Sequence, residues 1–447
     1  TWAWRVPRSI AHENALPSFE AQVLSEEAGA LHPLAFTTHF AFAHARPLVP
    51  VGEPVLLLHG SPGSHADFQE LLPALVEREW IAPDLPGFGI SRTGGPLAPL
   101  LPDYSVLAHA GYVLELLDHL GLARVHVVGF SMGGGVALEL ARLAPERIAS
   151  LALVSSIGVQ EMELFGSYEM NHLVHVLQLG GLRFARDWVP HFGTLDGPFF
   201  GVEYARNFTD TDQRRLRSAL LAWNGPALIL HGAQDFLVPV AAAHEHARLM
   251  PQAELRILED AGHFIPWMQT REFATTLTQF FVAAESGAAA TRASVPAAQR
   301  EAAFAPFDPT TIPPFVGFAL ALAICLLAAA TLVSEDLTCI GAGVLVSQGR
   351  IEFLPAVAAC FAGIFIGDML LYLAGRMMGA GALERAPLRW VLTPGGVARA
   401  RADFRRRGLA LIFLSRFMPG LRLPTYFVAG LLRVGALRFA LFFGLGG

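Results

Sequence analysis

Lysine is absent from this 447-residue chain: all 32 basic residues are arginine, a bias that reads as genome composition rather than function. Cysteine is missing from the first 324 residues, and the three present are Cys325, Cys339 and Cys360. The front of the chain therefore has no disulfide framework and gives no sign of an oxidising compartment. Histidine disappears after His263. Internal repeats and nucleic-acid-binding motifs are missing, so no nucleic-acid partner is expected. The chain opens at Thr1 rather than Met and stops in mid-pattern, as a piece of a longer protein would. A missing leader peptide therefore carries no weight.

The residues that are present divide unevenly. Hydrophobic residues make up 53% and charged residues only 16%, with a mean hydropathy of +0.44, high for a purely soluble protein. Residues 1–309 hold 32 acids and 19 arginines, a net charge of −13, and residues 310–447 hold 6 acids and 13 arginines, a net of +7. An acidic, histidine-rich front is joined to an apolar, basic back.

In the front, short apolar runs at 54–60, 124–130, 150–156, 226–232 and 253–259 read as buried parallel strands. Helical patterns follow at 65–77, 105–120, 132–143, 241–250 and 270–284, the alternation of βαβ units. About 70 residues separate the third strand from the fourth, too many for a plain connection, so a helical cap is expected over 157–223. Residues 1–35 read as an N-terminal extension, 36–285 as the domain, and the Ala/Pro-rich 286–310 as a linker.

"VVGFSMGGG" fits G-x-S-x-G through Gly129, Ser131 and Gly133, after a strand and at the start of a helix. A sharp turn there exposes the Ser131 hydroxyl, and the helix N-terminus favours developing negative charge. An acid and a histidine follow in the order this chemistry uses: Asp235 in "LILHGAQDFLVP" and His263 in "LEDAGHFIPW". His263 would take and return the serine proton, with Asp235 fixing its tautomer. Asp260 is a rival acid, disfavoured by its closeness to His263 in sequence. "LLLHGSPGS" adds the backbone N–H of Ser61, which with that of Met132 would form an oxyanion hole. His59 and His65 read as structural. His172 and His175 read as packing and cap hydrogen bonding, and no metal site or cofactor is expected.

With "APDLPGFGISR", these motifs make residues 36–285 resemble the α/β-hydrolase superfamily, nearest the branch with HGxPG loops and a helical cap. The resemblance implies a mostly parallel sheet and a structural Asp84. Relatives that open halides or epoxides use Asp as nucleophile; Ser131 at that position points to acyl-ester hydrolysis. The apolar cap points to a lipophilic substrate.

In the back, the uncharged stretch 314–333 and the segment 355–375 are each long enough to cross a bilayer. The shorter apolar stretch between them reads as re-entrant. Glu335, Asp368, Arg416 and Arg422 lie at membrane depth, the arginines flanking Pro419-Gly420, so a broken helix facing a polar cavity is expected. Gly367-Asp368, Tyr372, Gly375-Arg376 and then Arg416, Phe417, Pro419, Gly420, Arg422, Ala429-Gly430 resemble the DedA (VTT/SNARE-associated) membrane family. The proline-rich sequence usual after its first acidic position is replaced here by "DLTCIGAG". The resemblance covers 311–447 and implies an all-α polytopic domain with facing re-entrant loops that moves lipid carriers or phospholipids. The eight arginines of 376–407 point to the cytoplasmic side, and with it to a cytoplasmic hydrolase domain on a bacterial inner membrane.

The expectation is a membrane-tethered serine hydrolase of acyl esters, lipid-like in substrate, joined to a lipid translocase and in contact with membrane lipids. Two alternatives are a transporter with a degenerate regulatory hydrolase domain and a small-ester hydrolase merely anchored to the membrane. The sequence leaves the oligomeric state open.

Overall fold

All five apolar runs become strands of one sheet. In chain order the strands are β1 (Ser18–Glu27), β2 (Ala30–Ala45), β3 (Val55–Leu58), β4 (Trp80–Pro83), β5 (Arg92–Thr93), β6 (Val125–Phe130), β7 (Ile148–Val154), β8 (Ala227–Gly232) and β9 (Glu254–Leu258). The order across the sheet is β1-β2-β4-β3-β6-β7-β8-β9, with β5 paired to β2. From β4 to β9 neighbours run parallel, while β2 joins β4 antiparallel. The computed structural model describes residues 18–27, 30–93, 103–188, 202–378, 393–415 and 421–444. It falls into two units, Thr1–Ile312 and Pro313–Gly447.

Successive residues of a strand face opposite sides, so β3 feeds two cores. Leu56 and Leu58 pack with Val113 and Leu116 of α1 (Val106–His119), Val136 and Leu140 of α2 (Met132–Leu143) and Leu249 of α6 (Val240–Leu249). Val55 and Leu57 pack on the other face with Ile265 of α7 (Ile265–Met268) and with Phe273, Leu277 and Phe281 of α8 (Thr270–Glu285). The helix expected over 65–77 is instead two 3-10 turns, His65–Phe68 and Leu72–Leu75. Pro73 supplies the reason: it has no N–H to give and restricts the residue before it, so the first turn is not continued through it.

Between β7 and β8 stand α3 (Tyr168–Trp188), α4 (Val202–Asp210) and α5 (Arg214–Ala222). Only α3 and α4 rise as a cap, because Leu216, Ala219 and Leu220 of α5 return to the core against the sheet. The segment 286–310, expected as a linker, holds the short helix α9 (Ala297–Ala302) and is docked. Buried Arg292 donates to the carbonyls of Leu220, Trp223 and Leu249, and Phe307 and Ile312 pack against the core.

The second unit contains α10 (Gly317–Ala330), α11 (Glu335–Ser347) and α12 (Phe353–Met378). They are followed by α13 (Pro394–Arg407), α14 (Ala410–Leu414), α15 (Arg422–Leu431) and α16 (Ala436–Gly444). Phe353–Met377 is one helix long and apolar enough to cross a membrane. The span expected over 314–333 is realised only as the 14 residues of α10, about 21 Å against a hydrocarbon core of about 30 Å. Ser334 caps a new helix there by accepting from the Leu337 N–H, which ends the run early. Arg416 and the Pro419-Gly420 turn lie outside the described residues.

Candidate active site

The register sets Leu58 beside Gly129, Gly129 beside Leu153, and Val154 beside Leu230. The ends of β3, β6, β7 and β8 are thus level, and the loops that follow share one edge of the sheet, where parallel α/β sheets place their sites. Ser131 is the hinge between β6 and α2, with φ 54° and ψ −117°, a conformation that costs about 1–3 kcal/mol in a non-glycine residue. Two glycines make this turn possible. A Cβ on Gly129 would lie 2.5 Å from the Gly133 carbonyl oxygen, and one on Gly133 would lie 2.2 Å from that of Leu58.

The three residues expected to act together are together. Ser131 Oγ lies 3.0 Å from His263 Nε2, and His263 Nδ1 lies 2.7 Å from Asp235 Oδ2. Asp235 also accepts from the N–H groups of Leu237 and Val238 at 2.9 Å each. Burial alone would raise the Asp235 carboxyl, but His231 and His263 outweigh it and hold it at about 2. Ionised, Asp235 only accepts, so His263 carries its proton on Nδ1 and offers Nε2 to Ser131 as an acceptor. Asp260 lies exposed, away from this chain of bonds. His231 was not singled out by the sequence reading. Buried, it places Nε2 2.9 Å from the Val238 carbonyl and 3.3 Å from Asp235 Oδ2, in the "HG" that ends β8.

Ser61 and Met132, the expected oxyanion pair, line the same narrow cavity as Ser131. Met132 is the first residue of α2, so its N–H has no partner within the helix. Behind the Ser61 loop, Leu85 N–H donates to His59 Nε2 at 2.9 Å, which puts the imidazole proton on Nδ1, 2.6 Å from the Gly60 carbonyl. Burial lowers His59 to about 4 and keeps it neutral. Asp84 ties the neighbouring loop by accepting from the N–H groups of His65 and Ile90 and from His65 Nδ1. His59, His65 and Asp84 thus brace the loop without touching Ser131.

The cavity under the cap, where a lipophilic substrate is expected, exposes more apolar than polar surface. Among the described residues it is lined by Glu163, Asn207, Thr211 and Gln213 beside Ile157 and Phe208. Glu163, which follows a short turn after β7, was missed because a single acid in a cap carries no spacing signal. His175 pairs with Glu163 at 2.8 Å, and His172 stacks on Tyr168 with centroids 5.3 Å apart.

In the second unit, Arg422 at the start of α15 bonds Glu335 at the start of α11. Its Nη2 and Nε lie 3.2 and 3.3 Å from Oδ1 of Asp368, within α12. Tyr372, one turn on, donates to the Val434 carbonyl and accepts from Arg376 at 3.1 Å. Asp368 is buried and Arg422 and Glu335 are partly buried, while Leu322, Leu326, Val357, Phe361 and Leu370 are exposed.

A family model described as the α/β hydrolase fold matches residues 53–191 and 193–268, and the VTT-domain model matches 332–447. A dihydrolipoyllysine-residue acetyltransferase component of an acetoin cleaving system from Pseudomonas putida is 36% identical over 233 residues, 48% of this chain and 59% of that one. The chain thus spans less than two thirds of that relative. A 2-hydroxymuconate semialdehyde hydrolase from Pseudomonas putida is 28% identical over 53% of this chain and 89% of its own. A thermophilic esterase from Thermogutta terrifontis superposes with a TM-score of 0.46 at 22% identity, over 60% of this chain and 99% of its own. Residues 53–268 thus form a domain of the α/β hydrolase fold family, and residues 332–447 carry the VTT domain of the DedA family.

Proposed function

We propose that the front unit is a serine hydrolase that cleaves acyl esters through an acyl-enzyme. The hydrogen-bonded series Asp235–His263–Ser131 carries this reading. Ser131 Oγ attacks the ester carbonyl as His263 Nε2 takes its proton. The oxyanion is met by the N–H groups of Ser61 and Met132, and the proton passes to the leaving alcohol. Water then attacks the acyl-Ser131 ester with His263 again as base. Asp235 stays ionised throughout and stabilises the imidazolium. The intact series favours this over a degenerate regulatory module. A fluorophosphonate probe tests it: labelling is expected in the intact protein and absent in Ser131→Ala, and an unlabelled wild type would refute the reading.

The back unit, in this reading, is a lipid or lipid-carrier translocase, anchored in a bacterial inner membrane by α12. Arg422, held between Glu335 and Asp368, is the group suited to a lipid phosphate, since a guanidinium can exchange two carboxylates for phosphate oxygens. The arginines of 376–407 support a cytoplasmic side for the hydrolase unit. Protease access in right-side-out and inverted vesicles reads that side. A lipid-derived acyl ester is a second reading of the substrate, favoured by the exposed stripe Leu173, Val176, Leu177, Phe184 and Trp188 on α3.

A further inference from the structure

The cavity above Ser131 is lined by a carboxyl group that the hydrolytic reading does not use. Glu163 lines it together with Ser131 and Met132. The neighbours of Glu163 are mostly hydrogen-bond donors. Phe165 N–H donates to Asn171 Oδ1 at 2.9 Å, which fixes the orientation of that buried amide. Asn171 Nδ2 must then donate to Glu163 Oε2, and it does so at 3.0 Å. Gln160 Nε2 donates to the same oxygen, and His175 Nε2 lies 2.8 Å from Oε1. Two amide donors on one oxygen and an imidazole at the other suit a carboxylate, which has about four acceptor positions. One remains.

Asn207 adds a second polar group to the wall. Its Nδ2 donates to the Tyr104 carbonyl at 2.7 Å, which fixes the amide's orientation and leaves its oxygen as an acceptor beside one further N–H. Phe208 adds an aromatic ring, 5.3 Å from that of His175; a cation over such a ring is attracted by its quadrupole. No lysine or arginine is among the described lining residues.

We propose that Glu163, with Asn207 and Phe208, selects the acyl group: short acyl esters ending in a hydrogen-bond donor, best an ammonium, are accepted. Acyl groups ending in a carboxylate meet Glu163 with like charge. Long alkyl chains bury its carboxylate without replacing the water they displace, which costs free energy. The proposal rests on Ser131 being the nucleophile, and it narrows the substrate away from long-chain lipid esters.

Three methyl esters test it on the full-length protein in detergent, followed by titration at constant pH: 3-aminopropanoate, its near-isostere butanoate, and monomethyl succinate. The expected order of kcat/KM is amino, then butanoate, then succinate, with decanoate below butanoate. Glu163→Gln is expected to lower the amino-to-butanoate ratio about tenfold, as loss of a charged hydrogen-bond partner does, and to raise succinate relative to butanoate. Glu163→Asp, which keeps the charge, is expected to keep the order. Ratios that stay fixed in Glu163→Gln while a fluorophosphonate still labels Ser131 would overturn the selection and leave the serine mechanism standing. Decanoate turned over faster than the amino ester would do the same. A wild type that labels nowhere and cleaves none of the esters overturns both.

Discussion

Asp67 is a carboxyl group in a place that disfavours its charge. It lies buried behind the oxyanion loop, and its Oδ2 has no partner among the described residues. Burial, helped by the nearby Asp84, raises it from 3.8 to about 7. A raised carboxyl has no effect on stability below about 4, where both states are protonated. As pH climbs toward 7 the unfolded chain ionises and the folded one does not, so stability is lost. Above 7 the loss is complete, about 4 kcal/mol. Asp67→Asn is therefore expected to melt higher than wild type at pH 8, with the gap closing toward pH 4. Thermal denaturation followed by circular dichroism at the two pH values reads this directly, and a gap independent of pH would count against it. Asp235 has the opposite sign: held at about 2, it stabilises the fold above 3.8 and loses that contribution only in strong acid. A second expectation concerns the serine hinge. Gly133→Ala places a methyl group 2.2 Å from the Leu58 carbonyl oxygen, so β3 and α2 must part. Fluorophosphonate labelling of Ser131 should fall at least tenfold even in the fraction of protein that folds.

Among the elements, the second unit is organised by one close crossing. A Cβ on Gly375 would lie 2.1 Å from the Phe427 carbonyl oxygen, and one on Gly430 would lie 1.9 Å from that of Tyr372. Glycine at both positions lets α12 and α15 meet backbone to backbone, as small residues do between membrane helices. That approach brings Arg422 within reach of Asp368 and Glu335. Gly375→Leu is expected to cost about 2–3 kcal/mol through overpacking, seen as a lower melting temperature in detergent and loss of any transport that depends on Arg422, while ester turnover stays unchanged. The sequence motif carried Gly375 and Gly430 as letters, and the geometry supplies their reason. Elsewhere, what was legible depended on periodicity. β3, β6, β7 and β8 were readable because each is a nearly continuous apolar run, β9 because Leu255 and Ile257 alternate with Glu254 and Arg256, and α2 because it starts at a marked serine. The pair β1 and β2 was not legible, since residues 18–45 mix polar and apolar types without strict alternation. β4 escaped because "WIAP" is only four residues long. Glu163 and His231 escaped for another reason: each matters through partners distant in sequence, and no local spacing encodes that.

At the scale of the molecule, the two units differ in the apolar surface they leave outside. The first hides its apolar side chains in two large cores; the second has a smaller core around Tyr426, Phe427, Phe439 and Phe443, buries Asp368 and Tyr372, and leaves many side chains of α10 and α12 exposed. The point of division decides what a truncation tests. Arg292 satisfies carbonyls at the ends of α5 and α6, and Phe307 and Ile312 pack on the core, so the first unit runs to Ile312 rather than to the end of α8 at Glu285. Cutting after residue 290 removes that cap and leaves buried carbonyls without donors, at about 1–3 kcal/mol. For a unit of this size the melting temperature should fall by roughly 5 °C. A piece ending at Ile312 is expected to melt in one cooperative step and to cleave methyl butanoate within about twofold of the full chain, the two units acting as separate domains. Arg292→Met in the longer piece should reproduce most of the destabilisation of the shorter one. If both pieces melt alike, the 286–312 segment contributes nothing to the fold. If the longer one loses turnover while remaining folded, the hydrolase site depends on the membrane unit, and the two activities would have to be studied as one.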